Sequence, residues 1–155
     1  MCVIVDANMG HKFSDPPDDD VAPLVKILTH PTKMACLCIG GKLRVELLES
    51  GNGIRRLMKT LDQAGRLHRV DDAKVTVEET RVRELLEKFK ISGCDDPHII
   101  ALARVSGTRL LVSQDSSSKL HQIFKDRRFI DPPGSVYQNK SHAHLLVRAR
   151  DCGKR

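Results

Sequence analysis

Cys2-Val3-Ile4-Val5-Asp6 and Leu110-Leu111-Val112-Ser113-Gln114-Asp115 are the stretches that decide how this chain folds. Each opens as a short apolar run and closes on an aspartate. A strand with one wet face alternates apolar and polar side chains. A run apolar on both faces belongs in a sheet covered on both sides, and such sheets are largely parallel. Residues 34–39 are a further apolar run, closed by Gly40-Gly41, while 67–70 and 135–137 read as shorter strands. Helical patterns lie between these runs. The loop Asp15-Pro16-Pro17-Asp18-Asp19-Asp20 precedes a helix over 21–28, with Asp20 placed to cap it. Leu43 and Leu47 sit one turn apart in 42–49. Ile54, Leu57, Met58, Leu61 and Ala64 form a stripe stopped at Gly65. Val82, Leu85, Leu86 and Phe89 fall at i, i+3, i+4 and i+7, with Glu79–Arg83 and Glu84–Lys88 pairs on the wet side. Pro97 opens a helix whose inner face is Ile99, Leu102 and Ala103. Further helices are expected over 117–124 and 142–149. Strands alternating with helices predict an α/β domain around a mostly parallel sheet.

The chain has 155 residues, which suits one domain over 1–149, and neither a linker nor a repeat divides it. The basic tail 150–155 is expected to fray. With 40% hydrophobic and 30% charged residues, wholesale disorder is not expected. No apolar run approaches the roughly 20 residues of a membrane span, and the start lacks the basic region of a signal peptide. The five cysteines include no CxxC, so the expectation is a reduced, cytoplasmic chain. One Tyr, four Phe and no Trp argue against binding single strands by stacking bases on aromatic rings.

The net charge of +6 is unevenly placed. Residues 42–69 hold seven basic and three acidic side chains, and 125–155 hold eight and three, whereas 1–41 and 70–124 are net acidic. Such a split suits a polyanion gripped at basic flanks around an acidic centre. The acidic centre is expected at the carboxyl edge of the sheet, where ligands of open parallel sheets bind. Asp6 and Asp115 each follow a strand, Asp96 opens a helix, and Glu46 lies in the helix after Gly40-Gly41. Carboxylates gathered at one spot repel unless a cation neutralises them, and hard oxygen donors select Mg²⁺ or Mn²⁺. Ions of this kind promote phosphodiester hydrolysis.

The blocks VIVDAN (3–8), DDPHIIALA (95–103) and LLVSQD (110–115) resemble those of the PIN-domain family of metal-dependent nucleases. Carried over position by position, Asp6, Asp96 and Asp115 match the first, third and fourth acidic ligands, with Asp95 the neighbouring alternative to Asp96. The second ligand is Glu46 or Glu49, and GGKLRVE favours Glu46. Ser113 stands where Thr is common. Ser116, Ser117 and Ser118 occupy the region where many members add a fifth acidic residue. Asn8 and Ser113 are candidates for orienting the carboxylates, and Ser117 for a supporting role. The resemblance implies a three-layer α/β/α sandwich and a Mg²⁺- or Mn²⁺-dependent endoribonuclease acting on single-stranded or structured RNA. It also implies a role as the toxin of a toxin–antitoxin pair, with an antitoxin partner, and a homodimer. Arg55, Arg56, Lys59, Lys125, Arg127 and Arg128 are the candidate phosphate grip.

A second reading is a catalytically silent module of the same fold that binds RNA or protein, and the missing fifth carboxylate favours it. Gly51-Asn52-Gly53 lacks the remaining glycine of a dinucleotide loop. Cys36-Leu37-Cys38 reads as buried thiols, and His142-Ala143-His144 as a surface pair. His98 is expected to point away from Asp96 on another face of its helix.

Overall fold

The computed structural model describes residues 1–115 and 117–148. Five strands form one sheet: β1 (Cys2–Val5), β2 (Cys36–Ile39), β3 (Leu67–Arg69), β4 (Leu110–Val112) and β5 (Ser135–Tyr137). Their order is β3-β2-β1-β4-β5, and every neighbouring pair is parallel. Helices α1 (Ala22–Leu28), α2 (Gly41–Glu49), α3 (Asn52–Gln63), α4 (Asp72–Lys88), α5 (Pro97–Ser106), α6 (Leu120–Phe124) and α7 (His144–Arg148) flank it. The result is a three-layer α/β/α sandwich, as expected.

The apolar runs hold the centre. Val3, Ile4 and Val5 of β1 and Leu111 and Val112 of β4 are fully buried, as layers on both sides of the sheet require. Burying one such side chain stabilises the fold by about 1.5–3 kcal/mol relative to leaving it in water. Helix α5 is buried at every residue from Pro97 to Ala103, including the polar His98, and packs on α4. Helix α4 buries only Val75, Val82 and Leu86, one stripe on an otherwise wet helix.

Several local expectations are corrected. Asp20 does not cap α1: the first residue outside that helix is Val21, which offers no side-chain bond. The Asp20 carboxylate instead accepts from Lys12 Nζ at 2.7 Å and from Gln114 Nε2 at 3.3 Å, tying the loop to the chain beyond β4. Helix α6 begins at Leu120 rather than 117, because the Ser117 and Ser118 N–H groups turn back onto Asp115. The last helix is shorter than 142–149, since a 3₁₀ turn occupies Lys140–His142. Ser116, Ala149 and the tail 150–155 lie outside the described residues. Cys36, Cys38 and Cys94 are free, but Cys2 is disulfide-bonded. The expectation of a fully reduced chain therefore does not hold at Cys2. No helix among the described residues is long and apolar enough to cross a membrane.

Gly51-Asn52-Gly53, weighed above only as a ligand loop, has a packing role. A Cβ on Gly53 would run into the backbone carbonyl of Phe13, and one on Gly10 would run into the Ser50 side chain. Two close backbone approaches therefore seat the α2–α3 junction against the 3₁₀ turn Ala7–Lys12 that follows β1. That seating sets where α2, and with it Glu46, stands relative to Asp6.

Candidate functional site

The chain leaves β1 for β2 on one side and returns on the other side as β4, so the β1/β4 boundary is where the strand order reverses. Ligands of open parallel sheets bind at the carboxyl ends of strands beside such a reversal. Asp6 is the first residue past β1, and its N–H still donates to Val112 O at 2.9 Å. Its side chain is 5% exposed. One carboxylate oxygen accepts from Ser113 Oγ at 2.8 Å and the other from the Asn8 N–H at 3.3 Å. Burial pushes the Asp6 carboxyl above its ordinary value, the two hydrogen bonds oppose this, and the like charges of Asp96 and Asp115 push it further up. Asn8 acts here through its backbone, and its side chain is exposed.

Ser113 is a hub. Its fully buried hydroxyl donates to Asp6 and accepts from the Asp115 N–H at 3.2 Å, and His121 Nε2 lies at 3.0 Å. A hydroxyl has one proton and two lone pairs, so with the proton given to Asp6, His121 must present its Nε2–H. The His121 Nδ1 atom then accepts from Gln138 Nε2, at 3.5 Å. The sequence offered no signal for His121 or Gln138: one stands in the helix after β4 and the other just past β5, and only the sheet brings them together.

Asp115 sits in the turn between β4 and α6. One of its oxygens accepts from Ser117 N at 3.0 Å, Ser117 Oγ at 2.7 Å and Ser118 N at 3.2 Å. These bonds, led by the Ser117 hydroxyl, hold the Asp115 carboxyl below its ordinary value. Asp96 precedes α5 as its N-terminal cap residue, yet its side chain makes no capping bond. Burial raises its carboxyl; His98 and Lys42 oppose this, while Glu46 and Asp115 add to it. Asp95 is exposed.

Glu46 completes the group from α2. Its Oε2 lies 3.0 Å from His98 Nε2, and its Oε1 lies 3.1 Å from Lys42 Nζ. Glu46, Asp96 and His98 each offer a ligand atom within 4.8 Å of the other two. Glu49, on the same helix, is exposed. The placement of His98 is a correction. Asp96, at φ −122° and ψ 58°, is not yet helical, so the helical wheel that sent His98 to another face does not apply across this pair. The His98 ring is buried and turned to α2.

Arg55, Arg56 and Lys59 lie exposed on α3, where Arg55 bonds the Asn52 side chain. Arg127 pairs with Asp131 at 2.9 Å. Arg128 pairs with Asp126 at 2.6 Å and covers the Phe89 ring at 4.7 Å. Burial, and then the charge of Lys125, lower the affinity of the His121 imidazole for a proton, while Asp115 opposes them. His142 Nδ1 accepts from the Gln138 N–H at 3.1 Å, a structural bond.

The donor chemistry fits a hard divalent cation. Buried and partly buried carboxylates stand near one another here, two of them pushed up chiefly by burial and further by like charges, and a divalent ion would offset both. Comparison of the sequence with family models and with curated proteins finds no match. The structure is similar to a chain in the crystal structure of VapBC2 from Rickettsia felis bound to a DNA fragment from their promoter. That match has a TM-score of 0.51 at 19% identity and covers 89% of this chain and 100% of the other. At that identity the likeness is one of fold, and the fold of this chain is PIN-like.

Proposed function

We propose that this chain is a divalent-metal-dependent endoribonuclease acting on single-stranded RNA, as the toxin of a toxin–antitoxin pair. The observation that carries this reading is the cluster of Glu46, Asp96 and His98, whose ligand atoms lie within 4.8 Å of one another, on the sheet edge where Asp6 and Asp115 end their strands. Asp6 and Asp115 are coupled to it through the charge of Asp96. The PIN-like fold supports the nuclease class.

Asp6, Glu46, Asp96 and Asp115 would hold Mg²⁺ or Mn²⁺. Such an ion, when bound, neutralises charge on the phosphodiester and makes water acidic enough to supply a nucleophile at neutral pH. The remaining work belongs to the chain. Ser113 locks one Asp6 oxygen, and Ser117 and Ser118 lock one Asp115 oxygen, so each carboxylate keeps a fixed direction. Lys125, whose charge reaches His121, borders the acidic centre and draws in phosphates, and Lys42 can join it when an ion takes over its partner Glu46. Arg55, Arg56 and Lys59 extend that grip along α3. Arg127 and Arg128 are weaker members because each already serves an aspartate.

Cleavage of an unstructured RNA with Mn²⁺, with and without EDTA, tests the reading. Cleavage is expected with the metal, and its loss is expected with EDTA and in Asp6→Asn and Asp96→Asn. Cleavage that survives EDTA, or that persists in both variants, would overturn it. Tight RNA binding with no cleavage in any metal would favour the silent module instead. Co-expression with small proteins encoded beside this chain tests the antitoxin: a true partner restores growth that the chain alone suppresses.

A further inference from the structure

We infer that His98 is itself a metal ligand, so that the site holds a mixed nitrogen–oxygen donor set of His98, Glu46 and Asp96 and takes Mn²⁺ in preference to Mg²⁺. This rests on the metal-dependent reading above and goes beyond it, because the four carboxylates of that reading include no imidazole. Three observations carry it. First, the His98 side chain is 2% exposed while Glu46 is 28% exposed, so the imidazole lies beneath the carboxylate group and faces it from the protein side. Second, one separation is that of adjacent donors and the third donor is close by. Donors about 2.1 Å from an octahedral cation stand about 3.0 Å apart when adjacent and about 4.2 Å apart when opposite. His98 Nε2 and Glu46 Oε2 are 3.0 Å apart, and an Asp96 oxygen lies within 4.8 Å of both, near enough to close on a shared ion. Third, the His98–Glu46 bond needs one proton between its two atoms, and a cation can replace that proton as the shared partner once the imidazole turns its lone pair toward the ion.

Donor chemistry then sets the preference. Mg²⁺ takes oxygen ligands and gives up its waters reluctantly, whereas imidazole suits transition metals. A site with one buried imidazole and adjacent carboxylates therefore favours Mn²⁺ over Mg²⁺. The competing role for His98 is that of a hydrogen-bond donor orienting Glu46, with no bond to metal. The two roles differ in one observable: whether a histidine nitrogen couples to the bound ion.

The test uses the tag-free, metal-free full chain titrated with MnCl₂ and followed by electron paramagnetic resonance. Pulsed measurements of nitrogen coupling are made on wild type and on His98→Gln. Bound Mn²⁺ with an imidazole nitrogen signal that disappears in His98→Gln is the expected result. The variant should also bind Mn²⁺ about tenfold or more weakly, while its Mg²⁺ affinity, read by competition, changes much less. Mn²⁺ bound without nitrogen coupling, or coupling that persists in His98→Gln, would overturn the inference and leave the metal-dependent reading standing. No Mn²⁺ binding by the wild type would overturn both. If His98→Gln fails to fold by circular dichroism, wild-type protein with ¹⁵N-labelled histidine decides: an unaltered signal rejects the imidazole, and a changed coupling pattern supports it.

Discussion

Asp6 and Asp115 stand at the ends of two adjacent parallel strands, yet the protein treats their charges in opposite ways. Asp6 is buried and pushed up by desolvation and by the charges of Asp96 and Asp115. Asp115 is half-buried in a turn and held down by the Ser117 hydroxyl and two backbone N–H groups. One carboxylate is stressed by its surroundings, and the other is satisfied by them. The difference teaches that the sheet edge carries an anion the fold barely tolerates and an anion the fold has already paired; under the proposed function a cation would relieve the first. Ser113 links them, donating to one side chain and accepting from the other residue's N–H.

The sharpest way to break the comparison is to remove the stressed charge. Asp6→Asn should reduce metal-dependent RNA cleavage by about 100-fold or more, measured as initial rates at saturating Mn²⁺. Ser113→Ala should come next. It frees the Asp6 carboxylate and unties His121, and the expected loss is about ten- to a hundredfold in Mn²⁺ affinity by calorimetric titration.

Stability of the metal-free protein should then separate the two aspartates by sign. Asp6 holds its proton more tightly folded than unfolded, so its contribution is favourable at low pH and is lost as pH rises through the raised folded value. An amide does not titrate. Asp6→Asn should therefore be more stable than wild type at neutral pH, by about 1 kcal/mol in urea melts, and the gain should vanish as the pH is lowered. Asp115 runs the other way. Its stabilisation is present above the ordinary carboxyl value of 3.8 and is lost as pH falls through its depressed folded value. Asp115→Ala should thus destabilise at neutral pH by about 1 kcal/mol, with the loss shrinking in acid. Smallest of all, Ser117→Ala removes one of three donors to Asp115, and a drop of about 0.5 kcal/mol in the same melts is expected. Equal signs for the two aspartates would refute the contrast.

How much of this could be read in advance varied with the kind of signal. The strands carrying Asp6 and Asp115 were legible because an apolar run on both faces has one good home, the middle of a covered sheet. Helix α4 was legible because its apolar stripe repeats at helical spacing over 17 residues. Asp96 and Glu46 were legible as candidates from motif spacing, and the structure sets both beside His98. His98 itself was misplaced, since helical periodicity does not extend through a non-helical first residue. Asp20 was misread as a cap, because Lys12 and Gln114 compete for its carboxylate.

The sequence by itself determined the class of fold and which residues end its strands, because hydrophobic periodicity and strand-closing aspartates are local properties. It also determined the chemistry on offer: three candidate carboxylates in the chain's acidic stretches and a fourth, Glu46, in a basic one. Only the tertiary structure decided which side chains share a proton or could share an ion. Glu46 and His98 are 52 positions apart, and Asp6 and Ser113 are 107 apart. Pairings over such separations depend on strand order, on the seating of α2 through Gly10 and Gly53, and on the turn that folds Ser117 back onto Asp115. None of these is written in the spacing of neighbouring residues, because each is fixed by packing between segments distant in the chain.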